Sequence, residues 1–303
     1  VTGAAFTVIR ENELPLEPPK GIVRLASVQM DVAIARAEEN ADRVIAAMEV
    51  ARGERASLAA FPECALTGYC FDGPEEALAA SLDPDGPVIG RLAAAAARLG
   101  MYAAVGYLER VGDAPANAVS VIGPRGVVAH YRKTHLPVLG VDKWTTPGRG
   151  PLAVQEAAGL RLGLLICYDA SFPEAVRLLA LEGADLVLLP TNWPEEADHK
   201  AAWLPNTRAY ENVIYFAAVN RIGRERGYTF HGKSRVCAPT GETLAEAPPD
   251  REAILVTDVD PARSRQKRIE RRGSDYWVDR IGQRRTDLYR LEPGSGSEED
   301  SQG

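Results

Sequence analysis

Along this chain apolar residues recur at every second position in some stretches and at every third or fourth in others. Those spacings turn one face of a strand, or one face of a helix, toward a core. Residues 22–29 follow the first spacing and are rich in β-formers, whereas in 40–52 Val44, Ile45, Met48 and Ala51 fall on one helical face. A short apolar strand at 57–61 stops at Pro62, and an alanine-rich helix at 87–99 is closed by Gly100. Three strands follow at close spacing, 101–109, 117–122 and 127–132. The turn Gly123-Pro124-Arg125-Gly126 joins the last two, so antiparallel neighbours are expected. The pattern then predicts a buried strand at 161–167, a helix at 172–182, and strands at 185–190, 213–220 and 253–259.

Strands alternating with helices, with no internal repeat and no polar linker before residue 260, predict one compact α/β domain whose mixed strands form two packed sheets. The expected limits are an N-terminal extension at 1–21, the domain at 22–260, an arm at 261–293 and a disordered tail at 294–303. At 46% hydrophobic and 25% charged residues, the 303-residue chain can bury a full core. Lys and Arg number 35 against 42 Asp and Glu, a net charge of −7 that argues against general binding of nucleic acid. Residues 261–290 are basic, with ten Lys or Arg against four Asp or Glu, and in an acidic chain they read as a solvated or subunit-contacting arm. The longest apolar runs fall far short of the roughly 18 residues of a membrane helix, so no membrane partner is expected. Glu11, Glu13 and Glu17 in the first twenty residues do not fit a secretory signal. Four cysteines without a C-x-x-C pair fit a reducing compartment. The expected location is therefore cytoplasmic, with at least one thiol free to react.

Gly227, Gly232, Lys233 and Ser234 satisfy the phosphate-loop pattern G-x-x-x-x-G-K-[ST]. Such a loop binds phosphate only when a strand feeds it and a helix follows. Pro239 and Gly241 stand where that helix would run, so nucleotide binding is not expected. A stronger signal is the apolar strand that ends at Cys167 and turns through Ser171 into a helix. Elbows of this kind expose the side chain at the turn, and free N–H groups there lower a thiol's pKa and stabilise an oxyanion. By itself the segment fits a nucleophile and a buried core cysteine equally well. Glu63, just past one strand, and Lys133, at the end of another, shift that balance, because α/β proteins gather ligand sites at strand ends.

With these residues in place the chain resembles the nitrilase, or carbon-nitrogen hydrolase, superfamily over roughly residues 22–260. The resemblance rests on Phe61-Pro62-Glu63, on Tyr131-Arg132-Lys133-Thr134-His135-Leu136, and on Cys167-Tyr168-Asp169 with Phe172-Pro173-Glu174. Arg208 with Glu211 and Asn212, the run Val219-Asn220-Arg221, and Phe230, Gly232 and Ser234 leading to Pro239-Thr240-Gly241-Glu242 add to it. The last of these absorbs the phosphate-loop match. The resemblance implies a four-layer α-β-β-α sandwich, association into a homodimer or higher homo-oligomer, no cofactor, and a triad of Glu63, Lys133 and Cys167. In those roles Glu63 is the general base, Cys167 forms a covalent thioester, and Lys133 with the Tyr168 N–H holds the oxyanion. The family tends to carry a second glutamate after the lysine motif. Here Asp142 stands in that stretch, one residue short, as the candidate auxiliary carboxylate.

The family pattern makes His135 structural rather than catalytic, and His130, His199 and His231 show no metal-ligand spacing, so no metal is expected. Nitrile-cleaving members tend to follow the nucleophile with Trp-Glu, and D-amino-acid carbamoylases tend to place arginines there. This chain continues Tyr168-Asp169-Ala170-Ser171-Phe172, closer to the amidase branches and without a cation beside the elbow. The expected reaction is hydrolysis of a small linear amide to the acid and ammonia. An N-carbamoyl amine is the alternative substrate, and a non-catalytic binding member of the same fold is the alternative role. Thr191-Asn192-Trp193-Pro194 is the expected second wall, with Tyr69, Phe172, Asn192 and Trp193 contacting the substrate.

Overall fold

The alternation that marks strands in the sequence also sorts their two faces. Within residues 23–29, Leu25 joins one apolar cluster while Ala26 and Val28 join another; within 253–259, Ala253 and Leu255 part from Ile254 and Val256 in the same way. The computed structural model describes residues 6–272 and 275–289. Its first unit, Val1–Arg265, contains two large sheets. One is built from β1 (Thr7–Arg10), β2 (Val23–Gln29), β3 (Leu58–Ala60), β4 (Tyr102–Val111), β5 (Ala114–Gly123), β6 (Gly126–Arg132) and the late strand β15 (Ala253–Val259), in the order β1-β15-β2-β3-β4-β5-β6. The other contains β7 (Gln155–Ala157), β8 (Leu160–Leu164), β9 (Leu186–Thr191), β10 (Tyr215–Asn220), β13 (Arg235–Cys237) and β14 (Thr243–Glu246), in the order β14-β13-β10-β9-β8-β7. Between β10 and β13 the hairpin β11 (Ile222–Glu225) and β12 (Tyr228–His231) stands apart as its own ribbon.

Helices α1 (Ala37–Gly53) and α3 (Pro87–Leu99) pack Val44, Met48, Ile89 and Leu92 on the outer face of the first sheet, with Ala26, Val28 and Ile254. Leu25, Leu58, Val119 and Val121 point the other way and join Leu162, Leu186 and Leu188 of the second sheet. Helices α4 (Pro173–Leu181) and α5 (Asp198–Asn212) add Val176, Leu179, Ala201 and Ala209 to that cluster. The short helix α2 (Pro74–Ala80) precedes α3. The order is helix, sheet, sheet, helix, the sandwich that the resemblance implies, and the strands run parallel in its middle (β2-β3-β4 and β8-β9-β10). β4, β5 and β6 are antiparallel neighbours, as the turn at 123–126 predicts.

Three differences from the sequence reading have physical causes, and a fourth concerns where one strand ends. The N-terminal extension is not separate: β1 pairs parallel with β15, and Arg24 donates to the carbonyls of Pro15 (2.7 Å) and Leu16 (3.3 Å). Helix α6 (Pro261–Arg265) belongs with the first unit, held by Ser264 Oγ on the Asp185 carbonyl (2.7 Å) and by Arg265 on the Asp185 carboxylate (2.8 Å). Helix α5 went unpredicted because it carries Pro205 in its interior, a residue that reads as a helix breaker, and because Arg208 and Asn212 occupy part of its buried face, which hides the apolar period. The strand leading to Cys167 stops at Leu164. The phosphate-loop pattern lies where expected for a chance match: Tyr228–His231 is strand β12, and strand β13 follows instead of a helix. The second unit, Gln266–Gly303, contains the antiparallel pair β16 (Arg268–Arg272) and β17 (Tyr276–Asp279), with the Arg268 guanidinium 4.3 Å from the Trp277 ring. The predicted tail at 294–303 lies outside the described residues. Among the described residues no helix is long and apolar enough to cross a membrane.

Candidate active site

Glu63 follows β3 and Lys133 follows β6, and both side chains are fully buried. Lys133 Nζ donates to Glu63 Oε1 at 2.7 Å and to Asp142 Oδ2 at 2.5 Å. Asn117, near the start of β5, closes the ring: its Nδ2 donates to Glu63 Oε1 (2.7 Å) and to Asp142 Oδ1 (3.0 Å). Its Oδ1 faces the Cys64 thiol at 3.6 Å, and its carbonyl accepts the Lys133 N–H at 2.8 Å. Close backbone approach makes this cluster possible. A Cβ on Gly106 of β4 would stand 2.5 Å from the Pro62 carbonyl oxygen and 2.9 Å from Glu63 Cα. Gly140, with φ +51°, opens the turn that carries Asp142, and a Cβ there would lie 2.2 Å from the Tyr69 ring. That turn compensates for the shorter carboxylate, and Asp142 reaches Lys133 directly.

Cys167 sits at the elbow with φ +46°, a left-handed conformation that costs a non-glycine residue energy and here turns the chain from Ile166 into the tight turn Cys167–Ser171. Asp169 holds that turn. Its Oδ2 accepts the Ile166 N–H (2.9 Å) and the Tyr131 hydroxyl (2.8 Å). Its Oδ1 accepts from Thr134 Oγ1 (3.1 Å) and from the His135 N–H (3.0 Å), and lies 2.7 Å from His135 Nδ1. One buried carboxylate therefore ties the Lys133 segment to the Cys167 elbow, and His135 serves that tie. On the far side Arg208 Nε of α5 donates to the Ala170 carbonyl at 2.9 Å.

Burial pushes the Cys167 thiol up to about 12, and the charge of Glu63 adds to the rise; Lys133, the Thr191 hydroxyl and the Asn192 N–H oppose it. The elbow thus does the reverse of what the sequence reading expects, and the thiol rests protonated. Burial also raises Glu63, with the Asp142 charge adding to it against the pull of Lys133. For Lys133 the cost of burial is outweighed by the two carboxylates, which raise the ammonium well above its ordinary value. Glu63 Oε2 has no hydrogen-bond partner among the described residues, so it is the oxygen free to take a proton.

A cavity of about 400 Å³ opens onto this centre, lined in part by Cys167, Tyr168, Asn192, Trp193, Lys200 and Tyr228. Asn192 and Trp193 thus stand where the sequence places them. The Asn192 amide and the Trp193 Nε1–H are buried with no partner among the described residues. The other two expected substrate contacts are not among the lining residues. Tyr69 is buried with its hydroxyl on Asp142 Oδ2 at 2.7 Å and the Lys133 ammonium 5.9 Å from its ring. Phe172 stacks on His135 at 4.0 Å and meets the Tyr168 ring edge-on at 5.2 Å. Sequence reasoning missed Asn117, although an Asn inside an apolar strand is a signal in itself. It also missed Lys200, carried by the unpredicted α5, whose ammonium stands 5.4 Å from the Tyr168 ring. A cation does stand beside the elbow.

The sequence profile of the carbon-nitrogen hydrolase family matches residues 24–269, and the chain belongs to that family, the nitrilase superfamily, in its amidase-like part. A nitrilase of Pyrococcus abyssi is 34% identical over 82% of this chain and 94% of its own length. An N-carbamoylputrescine amidase of Solanum lycopersicum is 33% identical over 69% of this chain and 73% of its own. Among solved structures, a mutant of the amidase from Nesterenkonia sp. AN1 in complex with butyramide superposes with a TM-score of 0.73 at 30% identity, covering 82% of this chain and 95% of that one.

Proposed function

We propose that this carbon-nitrogen hydrolase cleaves a small linear amide through a Cys167 thioester, releasing the carboxylic acid and ammonia. The observation that carries the reading is the buried ring of Glu63, Lys133, Asp142 and Asn117 beside a cysteine at a strained elbow. Cys167 Sγ attacks the amide carbon while Glu63 Oε2 takes the thiol proton. Lys133 and the Tyr168 N–H hold the oxyanion, a term worth about 2.7–4 kcal/mol per donor in comparable sites. Glu63 returns its proton to the departing ammonia, then takes one from water as that water attacks the thioester, and finally gives it back to the thiol. Asp142 and Tyr69 keep Lys133 in place rather than meeting the substrate. Amide and water thus become acid and ammonia with the enzyme restored. An N-carbamoyl amine is the second reading, supported by the Solanum lycopersicum relative. The test is intact-protein mass spectrometry with ammonia and carbon dioxide assays on a panel of amides, N-carbamoyl compounds and nitriles. An acyl mass on Cys167 with ammonia alone supports the amidase; carbon dioxide from carbamoyl compounds with amides untouched replaces it by a carbamoylase. No covalent mass with any substrate leaves a binding protein.

The outer faces of α4 and α5, which pack side by side, expose Leu178, Leu181 and Trp203, the last at 70%. Apolar surface of this kind marks an association site, and we propose that a second copy of the chain covers it. A monomer by light scattering at micromolar concentration would overturn that proposal.

A further inference from the structure

The grip on Lys133 extends one step beyond Tyr69, to the hairpin that belongs to neither large sheet. Glu225 ends β11, buried to 4% exposure, and both of its carboxylate oxygens are in use. Oε1 accepts the backbone N–H groups of Tyr69 (2.8 Å) and Cys70 (2.6 Å), and Oε2 accepts from Arg221 Nη1 (2.7 Å). Arg221 is fully buried and reaches the loop after β2, where its Nη2 donates to Asp31 Oδ1 and to the Val32 carbonyl, both at 2.9 Å. Its guanidinium also lies 4.5 Å from the Phe230 ring of β12. The Tyr69 side chain continues the line. Its ring fits against Gly140, and its hydroxyl bonds Asp142 Oδ2 at 2.7 Å. Burial, with the charges of Asp142 and Glu63, pushes that hydroxyl well above its ordinary value, so it stays protonated and donates to the carboxylate. Asp142 in turn accepts from the Lys133 ammonium. A buried ion pair such as Arg221–Glu225 is a weak source of stability, because desolvation offsets much of the attraction. It does fix the two N–H groups in one place, and misplacing a reacting group by about an ångström is enough to cost about a hundredfold in rate.

We infer that Glu225 is a positioning residue for the hydrolysis: by holding the Tyr69 backbone it sets the Tyr69 hydroxyl on Asp142 and, through Asp142, the place of the Lys133 ammonium. Glu225 is not among the residues that line the cavity, so it acts only through these partners. The inference rests on the amidase reading of the site.

Two substitutions separate reach from charge. Glu225→Asp keeps a carboxylate opposite Arg221 and draws the acceptor back from the two N–H groups by one C–C bond; Glu225→Gln keeps the reach and gives up the charge. In Glu225→Asp, kcat on the preferred amide should fall about tenfold while KM stays within about twofold, because the loss is felt where the oxyanion forms. Glu225→Gln should lower kcat less, about threefold, yet lose more stability in thermal unfolding, since the buried Arg221 is left without this counter-charge. A carboxylate that served only the fold would give the opposite order, with kcat following stability. That order, a wild-type kcat in Glu225→Asp, or a Glu225→Asp chain that does not fold overturns the inference. Tyr69→Phe removes only the hydroxyl, and on that background Glu225→Asp should lower kcat by less than about twofold more; losses that multiply overturn the inference. Iodoacetamide labelling of Cys167 reads the same chain of contacts without turnover. Lys133 favours the thiolate, so its displacement in Glu225→Asp should slow labelling about threefold, whereas a loosened fold would speed it. Slowed labelling with no ammonia from any compound of the panel supports the inference and overturns the amidase. Unchanged or faster labelling beside amide turnover by the wild type does the reverse, and without that turnover it overturns both.

Discussion

On one side of Cys167, Glu63, Lys133, Asp142 and Asn117 are buried and bonded to one another; on the other, the side chains of Asn192 and Trp193 are buried as deeply with no partner among the described residues. Burying a polar group without a partner costs about 1–3 kcal/mol, so the second side leaves hydrogen-bonding groups for a molecule in the cavity, water or substrate, to satisfy. The first side is organised before substrate arrives, as electrostatic catalysis in a dry site requires. Its single unpartnered atom, Glu63 Oε2, is the one that takes the proton in the proposed mechanism. Under the proposed function, the difference separates the part of the site that does chemistry from the part that chooses what the chemistry is done to.

The largest effects should come from breaking the bonded side. Cys167→Ala should abolish turnover with the fold intact, because a small-to-small change removes the nucleophile and little packing. Glu63→Gln and Lys133→Ala should each lose several orders of magnitude in kcat, and the double variant little more, because groups acting as a unit are not additive. Additive losses in single-turnover kinetics would show separate roles instead. The pH profile follows from the same burial. Glu63 must be ionised to take the thiol proton, and its pKa is raised, so the acid limb of kcat/KM should lie above the ordinary carboxylate value of 4.5, activity falling as pH drops through it. A limb at or below 4.5 would break the assignment of Glu63 as base.

Asn117→Ala and Asp142→Asn come next. Asn117→Ala leaves an oxygen on each of two buried carboxylates short of a donor, and should cost about 1–3 kcal/mol in denaturant unfolding together with a loss of kcat. Asp142→Asn keeps a neutral acceptor for Tyr69 and Lys133, and should lose less kcat than Glu63→Gln. A loss equal to that of Glu63→Gln would make Asp142 a member of the proton path.

What the sequence discloses divides along the same line. Glu63, Lys133 and Cys167 each stand at or just beyond the end of an apolar strand, where period and residue type coincide, and the strands that carry them are legible from apolar runs and alternation together, whereas β1, β7 and β11 to β14 are not among the predicted strands. Asp142 was legible only as a carboxylate out of register, since its reach depends on the turn that Gly140 opens. Asn117 and Asp169 do their work through partners distant in sequence, Asp169 joining residue 166 to residues 131, 134 and 135, and no local pattern announces such contacts. The thiol's raised pKa was out of reach for a related reason: an elbow is a local feature, whereas burial beside Glu63 is a tertiary one. Lys200 was hidden with its helix, because α5 buries Arg208 and Asn212 and carries Pro205 where a periodic apolar face would have marked it.

The smallest expected effect is also the sharpest test of the unbonded side. Trp193→Phe keeps an aromatic ring in a wall that is 1% exposed and removes the indole N–H, which has no partner among the described residues. In the free protein that change deletes an uncompensated buried donor along with some packing volume, so unfolding stability should stay within about 1 kcal/mol of wild type. With substrate present the same N–H has an acceptor, and its loss should raise KM several-fold while kcat changes less, since the bond is made in the ground state as well as the transition state. The contrast with Asn117→Ala is the point of the measurement: one removes a donor already in use and costs stability, the other removes a donor held in reserve and costs only binding. If Trp193→Phe lost stability as Asn117→Ala should, its N–H would be engaged in the free protein, and the two sides of the site would not differ in kind.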